Sequence, residues 1–135
     1  MRTPLLTALI LGLATASAAP ASGAPLGADW PVVAAASDGD CALEVTGNGK
    51  IFLIAATGLG AGTAGRYRIS NGDMVPIDWT ITATGGGRLA RYYLPFRWGH
   101  AGERIEGGRV EVSIATADCS VRAAFPWKRG IRVID

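Results

Sequence analysis

Two cysteines, one histidine, a glycine-rich hexapeptide and four tryptophans are the residues of this 135-residue chain whose types and spacing could do chemistry. Cys41 and Cys119 leave a single intramolecular pairing. The alternatives are a free thiol pair or a metal or redox site, and for these the sequence has neither a C-x-x-C nor a second ligand cluster. His100 stands beside Arg97, Trp98 and Glu103, where a general base can be imagined. It has no G-x-S-x-G elbow to activate and no orienting partner in its local sequence, so it reads as a solvated loop residue and no catalytic residue is assigned. A zinc site needs three or four ligands, which one histidine and two paired cysteines supply poorly, so no metal is expected.

Gly60-Ala61-Gly62-Thr63-Ala64-Gly65 spells the dinucleotide-binding pattern G-x-G-x-x-G. That motif works only if a helix follows, so that its N-terminus faces the pyrophosphate. Here the alternating segment Arg66 to Ser70 follows instead, so the stretch reads as a loop between strands and no cofactor is expected. Trp30, Trp98 and Trp127 fall in or beside predicted loops, whereas Trp79 falls on an inward strand phase. Loop tryptophans of a secreted β domain can stack on sugar rings, which makes Trp98 and Trp127 the candidate ligand contacts. The preferred alternative is that these amphipathic rings plug the ends of the core. Phe125 to Gly130 could form a basic and aromatic patch, but it reads more simply as a solvated tail.

The elements that must position these residues begin after an export signal. Met1 and Arg2 give a positive start, the run Leu5 to Ala14 is apolar, and Ala16-Ser17-Ala18 gives the small residues a signal peptidase requires. The apolar run is too short for a membrane span, which needs about 20 residues. Cleavage is placed between Ala18 and Ala19, with Ala14-Thr15-Ala16 as a nearby second site. No cysteine stands at the cut to take a lipid and no second long apolar run follows, so the mature chain is expected to be free of the membrane, in the periplasm or secreted. Residues 19–40, rich in Ala, Gly, Pro and Ser, read as a flexible leader with a short edge strand near Pro31 to Ala35.

Loss of Arg2 leaves twelve basic against eleven acidic side chains, a net charge near +1, which is no footprint for nucleic acid. Residues 41–135 suffice for one core. They divide into short segments of alternating polarity fenced by Gly, Asn and Asp, the pattern of antiparallel strands and hairpins. Val75 to Ala83 places Val, Ile, Trp, Ile and Ala on one face, with Pro76 marking an edge. Ile51 to Ala56 is apolar on both phases, as a strand covered on both sides would be. Seven strands are predicted near 41–46, 50–57, 65–70, 75–84, 88–96, 109–116 and 119–125, with an eighth at 131–134. Cys41 shares a phase with Leu43 and Val45, and Cys119 with Val121, Ala123 and Phe125, so both sulfurs face the core and the favoured reading is a bridge.

The sequence Gly58-Leu59 before a glycine loop, Tyr67 to Gly72, the alternating strand ending at Gly85 to Gly87, Tyr93-Leu94-Pro95-Phe96, and the closing Gly108 to Val112 and Cys119 to Val121 resemble the bacterial immunoglobulin-like modules of exported proteins. The resemblance implies an all-β chain: a single antiparallel immunoglobulin-like sandwich of about seven strands. It implies a non-catalytic role through protein contact or structure at the cell envelope, with an unknown protein or a cell-surface glycan as partner. A carbohydrate-binding module or a small inhibitor of a secreted enzyme, presenting the loop Trp98 to Gly108, is the alternative.

Overall fold

The computed structural model describes residues 26–129. The expected signal peptide, with its expected cut between Ala18 and Ala19, and the eighth strand expected at 131–134 lie outside the described residues. The chain is all-β there, with ten strands: β1 (Val32–Asp38), β2 (Cys41–Gly47), β3 (Phe52–Thr57), β4 (Ala64–Asn71), β5 (Ile77–Thr82), β6 (Leu89–Tyr93), β7 (Arg97–Trp98), β8 (Arg104–Ile105), β9 (Gly107–Thr116) and β10 (Ser120–Lys128). Eight of them form two four-stranded sheets, ordered β1-β2-β3-β6 and β10-β9-β4-β5, while β7 and β8 make a small separate hairpin. All pairings are antiparallel.

Period-two alternation decides which side chains enter the space between the sheets. Leu43 and Val45 of β2, Phe52 and Ile54 of β3, Val110, Val112 and Ile114 of β9, and Val121 and Phe125 of β10 are all buried there. The Phe52 and Phe125 rings, from opposite sheets, approach to 4.4 Å between centroids, so the two sheets share one core. Cys41, at the start of β2, is bonded to Cys119, just before β10, with Cα atoms 6.4 Å apart. The bridge therefore joins one sheet to the other at one end of the molecule. Gly58 turns the chain there with a φ of 72°, and a Cβ on it would collide with the Asp40 carbonyl.

The short edge strand expected near Pro31 to Ala35 within the leader is present as β1, which runs on to Asp38 and pairs with β2 along most of its length. Its Ala34 and Ala36 are partly buried against the core. Three sequence expectations are corrected. The strand expected at 119–125 continues as β10 to Lys128, which takes Trp127 out of the loops and into the core. β3 is buried on one face and half-buried on the other, because no third layer covers it. Finally, in Val75 to Ala83 only Ile81 and Ala83 are buried, while Val75, Ile77 and Trp79 are exposed.

Candidate functional site

The sheets meet along two seams with different closures. On one side β1 lies against β10. The Ser120 amide donates to Asp38 Oδ2 at 2.9 Å, tying the start of β10 to the end of β1. On the other side β5 and β6 are the edge strands, and they approach one another far less closely. The gap between them is wedge-shaped. At the disulfide end it is shut by the β5–β6 connection, where the Thr84 amide donates to the Arg88 carbonyl and the Leu59 amide to the Gly87 carbonyl. Ile81 and Leu89 are buried at that base.

Away from the base the wedge opens and its walls carry distinct chemistry. On the β5 wall, Trp79 is 49% exposed and stacks on Tyr67 of β4, with ring centroids 5.6 Å apart and planes 13° from parallel. Residues paired across an antiparallel ladder point to the same side. On the β6 wall, Leu89, Arg91 and Tyr93 pair with Ala56, Ile54 and Phe52, which face the core, so Arg91 lies on the inward side of β6. Tyr67 is only 1% exposed, and its hydroxyl makes no hydrogen bond among the described residues. Burial first, and then Tyr93 nearby, hold that hydroxyl well above the usual tyrosine range, against the opposing charge of Arg91. Arg91 and Arg88 have no acidic partner among the described residues.

Large apolar side chains continue from the wedge to the end of the molecule opposite the disulfide. Val75 is 89% exposed, and Met74, Ile77, Tyr92, Leu94 and Phe96 are exposed with it. Two anchors bring their segments together. Asn71, the one buried polar residue described, accepts from Trp127 Nε1 at 2.9 Å and donates its Nδ2 to the Phe96 carbonyl at 3.3 Å. Arg97 Nη2 meets Asp73 Oδ1 at 2.8 Å. Gly72, at a φ of 61°, lets that guanidinium pass, since a Cβ would strike it. The segment 94–97 is thereby held beside the β4–β5 turn. Scattered apolar residues are normal on a surface, but several large ones near a sheet edge suit an interaction surface; Tyr92 is on the outward phase of β6 and stands apart from them.

The residues singled out by sequence fare differently. Trp127 is 2% exposed and hydrogen-bonded within the core, so it cannot contact a ligand. Trp98 is exposed, but the guanidinium carbons of Arg129 and Arg104 lie over its ring at 5.2 and 5.8 Å. More than half of the Trp98 surface stays exposed beside these cation–π contacts. The loop Trp98 to Gly108 is largely the short β7–β8 hairpin, held by Arg129 Nη2 donating to the Arg97 carbonyl at 2.9 Å. His100 does have a partner, distant in sequence: its Nε2 lies 2.9 Å from Asp73 Oδ2, on a side chain 96% exposed. A hydrogen bond from its own backbone amide, with Arg97 and His100 adding to it, holds the Asp73 carboxyl below the usual carboxylate range. No hydroxyl or thiol hydrogen-bonds His100 among the described residues. The glycine hexapeptide leads into β4 and not into a helix. No three of the described His, Cys, Asp and Glu side chains converge as metal ligands.

Sequence reasoning missed the wedge itself. Alternation assigned Trp79 its phase correctly but not its coverage, and Arg91 looked like any surface arginine. The available signal was Pro76, which placed that strand at an edge, where an inward phase can outrun the facing sheet. The sequence matches no family model, no curated protein and no solved structure.

Proposed function

We infer that the protein is an exported, non-catalytic immunoglobulin-like sandwich module that works by protein contact, and that the open β5–β6 seam with its apolar rim is the contact surface. The observation that carries this reading is the group of exposed Val75, Ile77, Trp79, Leu94 and Phe96 beside an unpaired sheet edge. A disulfide between sheets is the chemistry of an oxidising compartment, which supports export to the periplasm or beyond. The order β10-β9-β4-β5 is that expected of the G-F-C side of an immunoglobulin sandwich, which supports the resemblance. The other sheet departs from it: β1, β2 and β3 run as a consecutive meander, where the A-B-E-D sheet takes its third and fourth strands from later in the chain. Sugar binding through Trp98 and Trp127 together is disfavoured, because the Trp127 ring is buried and leaves Trp98 without a second stacking platform.

Photocrosslinking in the exporting cell tests the reading. A photoreactive residue in place of Val75 is expected to give a discrete protein adduct, and one in place of Glu44, exposed on the outer face of β2, is expected to give none. Equal labelling from both positions, or labelling from Glu44 alone, overturns it.

A further inference from the structure

We propose that the seam binds an extended polypeptide segment as an added strand along β5, and that this segment carries an inward carboxylate flanked by apolar side chains. The proposal rests on the contact-surface reading above and specifies its chemistry. Three independent observations lead to it.

The first is the edge. β5 pairs with β4 through Ile77 to Thr82, and its other side has no strand beside it among the described residues. A row of unpaired amides and carbonyls on an edge strand is a template for an incoming chain, whose main chain supplies affinity while alternate side chains supply specificity. The opposite seam does not offer this. There β1 carries a register irregularity between Val32 and Ala34, β10 carries Pro126, and the two strands cover one another.

The second is apolar surface of the right periodicity. Ile77, Trp79 and Ile81 share the inward phase of β5, and the first two extend past the cover of the facing sheet. An added strand would point its own inward side chains into the same gap and shield them.

The third is a polar pair on the inner walls of that gap, one inward step away from its closed base. The buried Tyr67 has a hydroxyl that donates to no described residue, and Arg91 takes the inward phase of the opposite wall. The guanidinium reaches the Ala90 carbonyl at 3.4 Å from Nη1 and has no acidic partner among the described residues, so its remaining donors and the phenol can both serve a carboxylate. The surrounding charge favours the same sign. Arg88 and Arg91 are unpaired among the described residues, and on the outer face of the sheet the single Asp78 is shared by Arg66 at 2.7 Å and Arg68 at 3.4 Å. Tyr67 and Trp79 are register partners, so the added strand's residue opposite Trp79 is the one aimed toward Arg91.

The test uses the disulfide-bonded protein and a capped heptapeptide with threonine at its four outward positions and valine, glutamate and valine at the inward ones. Amide shifts on titration are expected along β5 and at Tyr67 and Arg91, saturating with a Kd on the order of 100 μM, as suits a short unconstrained strand. Exchanging the peptide's glutamate for lysine, or methylating the backbone nitrogens that face β5, is expected to abolish binding. Arg91→Glu should weaken it about tenfold and Tyr67→Phe about threefold, and added salt should weaken it further.

No saturable shift at millimolar peptide, equal binding of the lysine peptide, or indifference to Arg91→Glu overturns the proposal. So does a dimer in sedimentation with β5 already protected, which would make a second copy the occupant, or a polysaccharide that shifts β5 when the peptide does not. The peptide variants act on the unmodified protein, so the outcome does not depend on how well Arg91→Glu folds. An adduct at Val75 without peptide binding removes the added strand and keeps the contact reading. Peptide binding without an adduct at Val75 removes the contact reading.

Discussion

The two seams of this molecule have the same materials, a pair of edge strands from opposite sheets, and treat them in opposite ways. Where β1 meets β10, the edges are irregular or proline-bearing, lie against one another and are tied by Ser120 to Asp38. The disulfide joins the sheets at the same end as that tie. Where β5 faces β6, the base is shut by Ile81 and Leu89, but the strands part above it and leave Trp79 and Ile77 without cover. An uncovered apolar edge forgoes burial worth about 25 cal/mol per Å² and invites association. The difference teaches that closure here is a local choice of side chains, and that the side left open is where a partner has most to gain.

If stability resides in the closed regions and binding in the open seam, substitutions should divide accordingly. The largest effect is expected from Cys41→Ser with Cys119→Ser. Releasing a closed loop whose ends are 78 residues apart should cost about 3 to 4.5 kcal/mol in urea unfolding. A loss below about 1 kcal/mol would remove the disulfide from the account of closure. Next comes Asn71→Ala, which strands the Trp127 indole N–H in the core and frees the Phe96 carbonyl. A cost of about 1 to 3 kcal/mol is expected by the same assay.

The open seam should invert this pattern. Trp79→Ser removes a stack worth about 0.5 to 1.5 kcal/mol, yet it should abolish the Val75 adduct. Stability lost on the scale of a core tryptophan, with the adduct retained, would show that Trp79 belongs to the core and not to the surface. Tyr67→Phe should be smaller still at neutral pH, and its signature is in alkali. The folded hydroxyl is held above its ordinary value, so the folded chain keeps a proton that the unfolded chain releases, and stability falls as pH rises above about 10. The phenylalanine variant should lose part of that alkaline slope in pH-dependent denaturation. The smallest effect is expected of Asp73→Asn. Its carboxyl is held below the ordinary value, so its contribution is present above about pH 4 and is lost as pH falls through the lower folded value. The variant should be slightly less stable than the parent above about pH 4 and should converge with it in stronger acid, losing that part of the acid slope.

Much of the core can be read from the sequence, because burial on one face of a strand imposes period two and a one-residue slip would expose every apolar side chain. Phase alone brings Cys41 and Cys119 inward, and the bridge forms between them. What escapes is whatever alternation does not encode. β1 is read only as a short edge strand near Pro31 to Ala35, because Ala34, Ala35 and Ala36 mark its extent weakly. Trp127 is misplaced because Pro126 looks like the end of a strand, whereas on an edge strand such as β10 its missing amide can face away from the ladder. The wedge escapes for a third reason. Phase states which way Trp79 points, and only the width of the facing sheet states whether anything lies there.

Amide hydrogen exchange followed residue by residue tests the central asymmetry most directly. In the isolated protein, the amides of β5 turned away from β4 should exchange at rates near those of exposed loops, while β10 and the sheet centres at β2, β3, β4 and β9 should be protected by several orders of magnitude. Protection of every β5 amide to the level of β10, at a concentration where the protein is monomeric, would mean that the second seam is closed as well and would contradict the account.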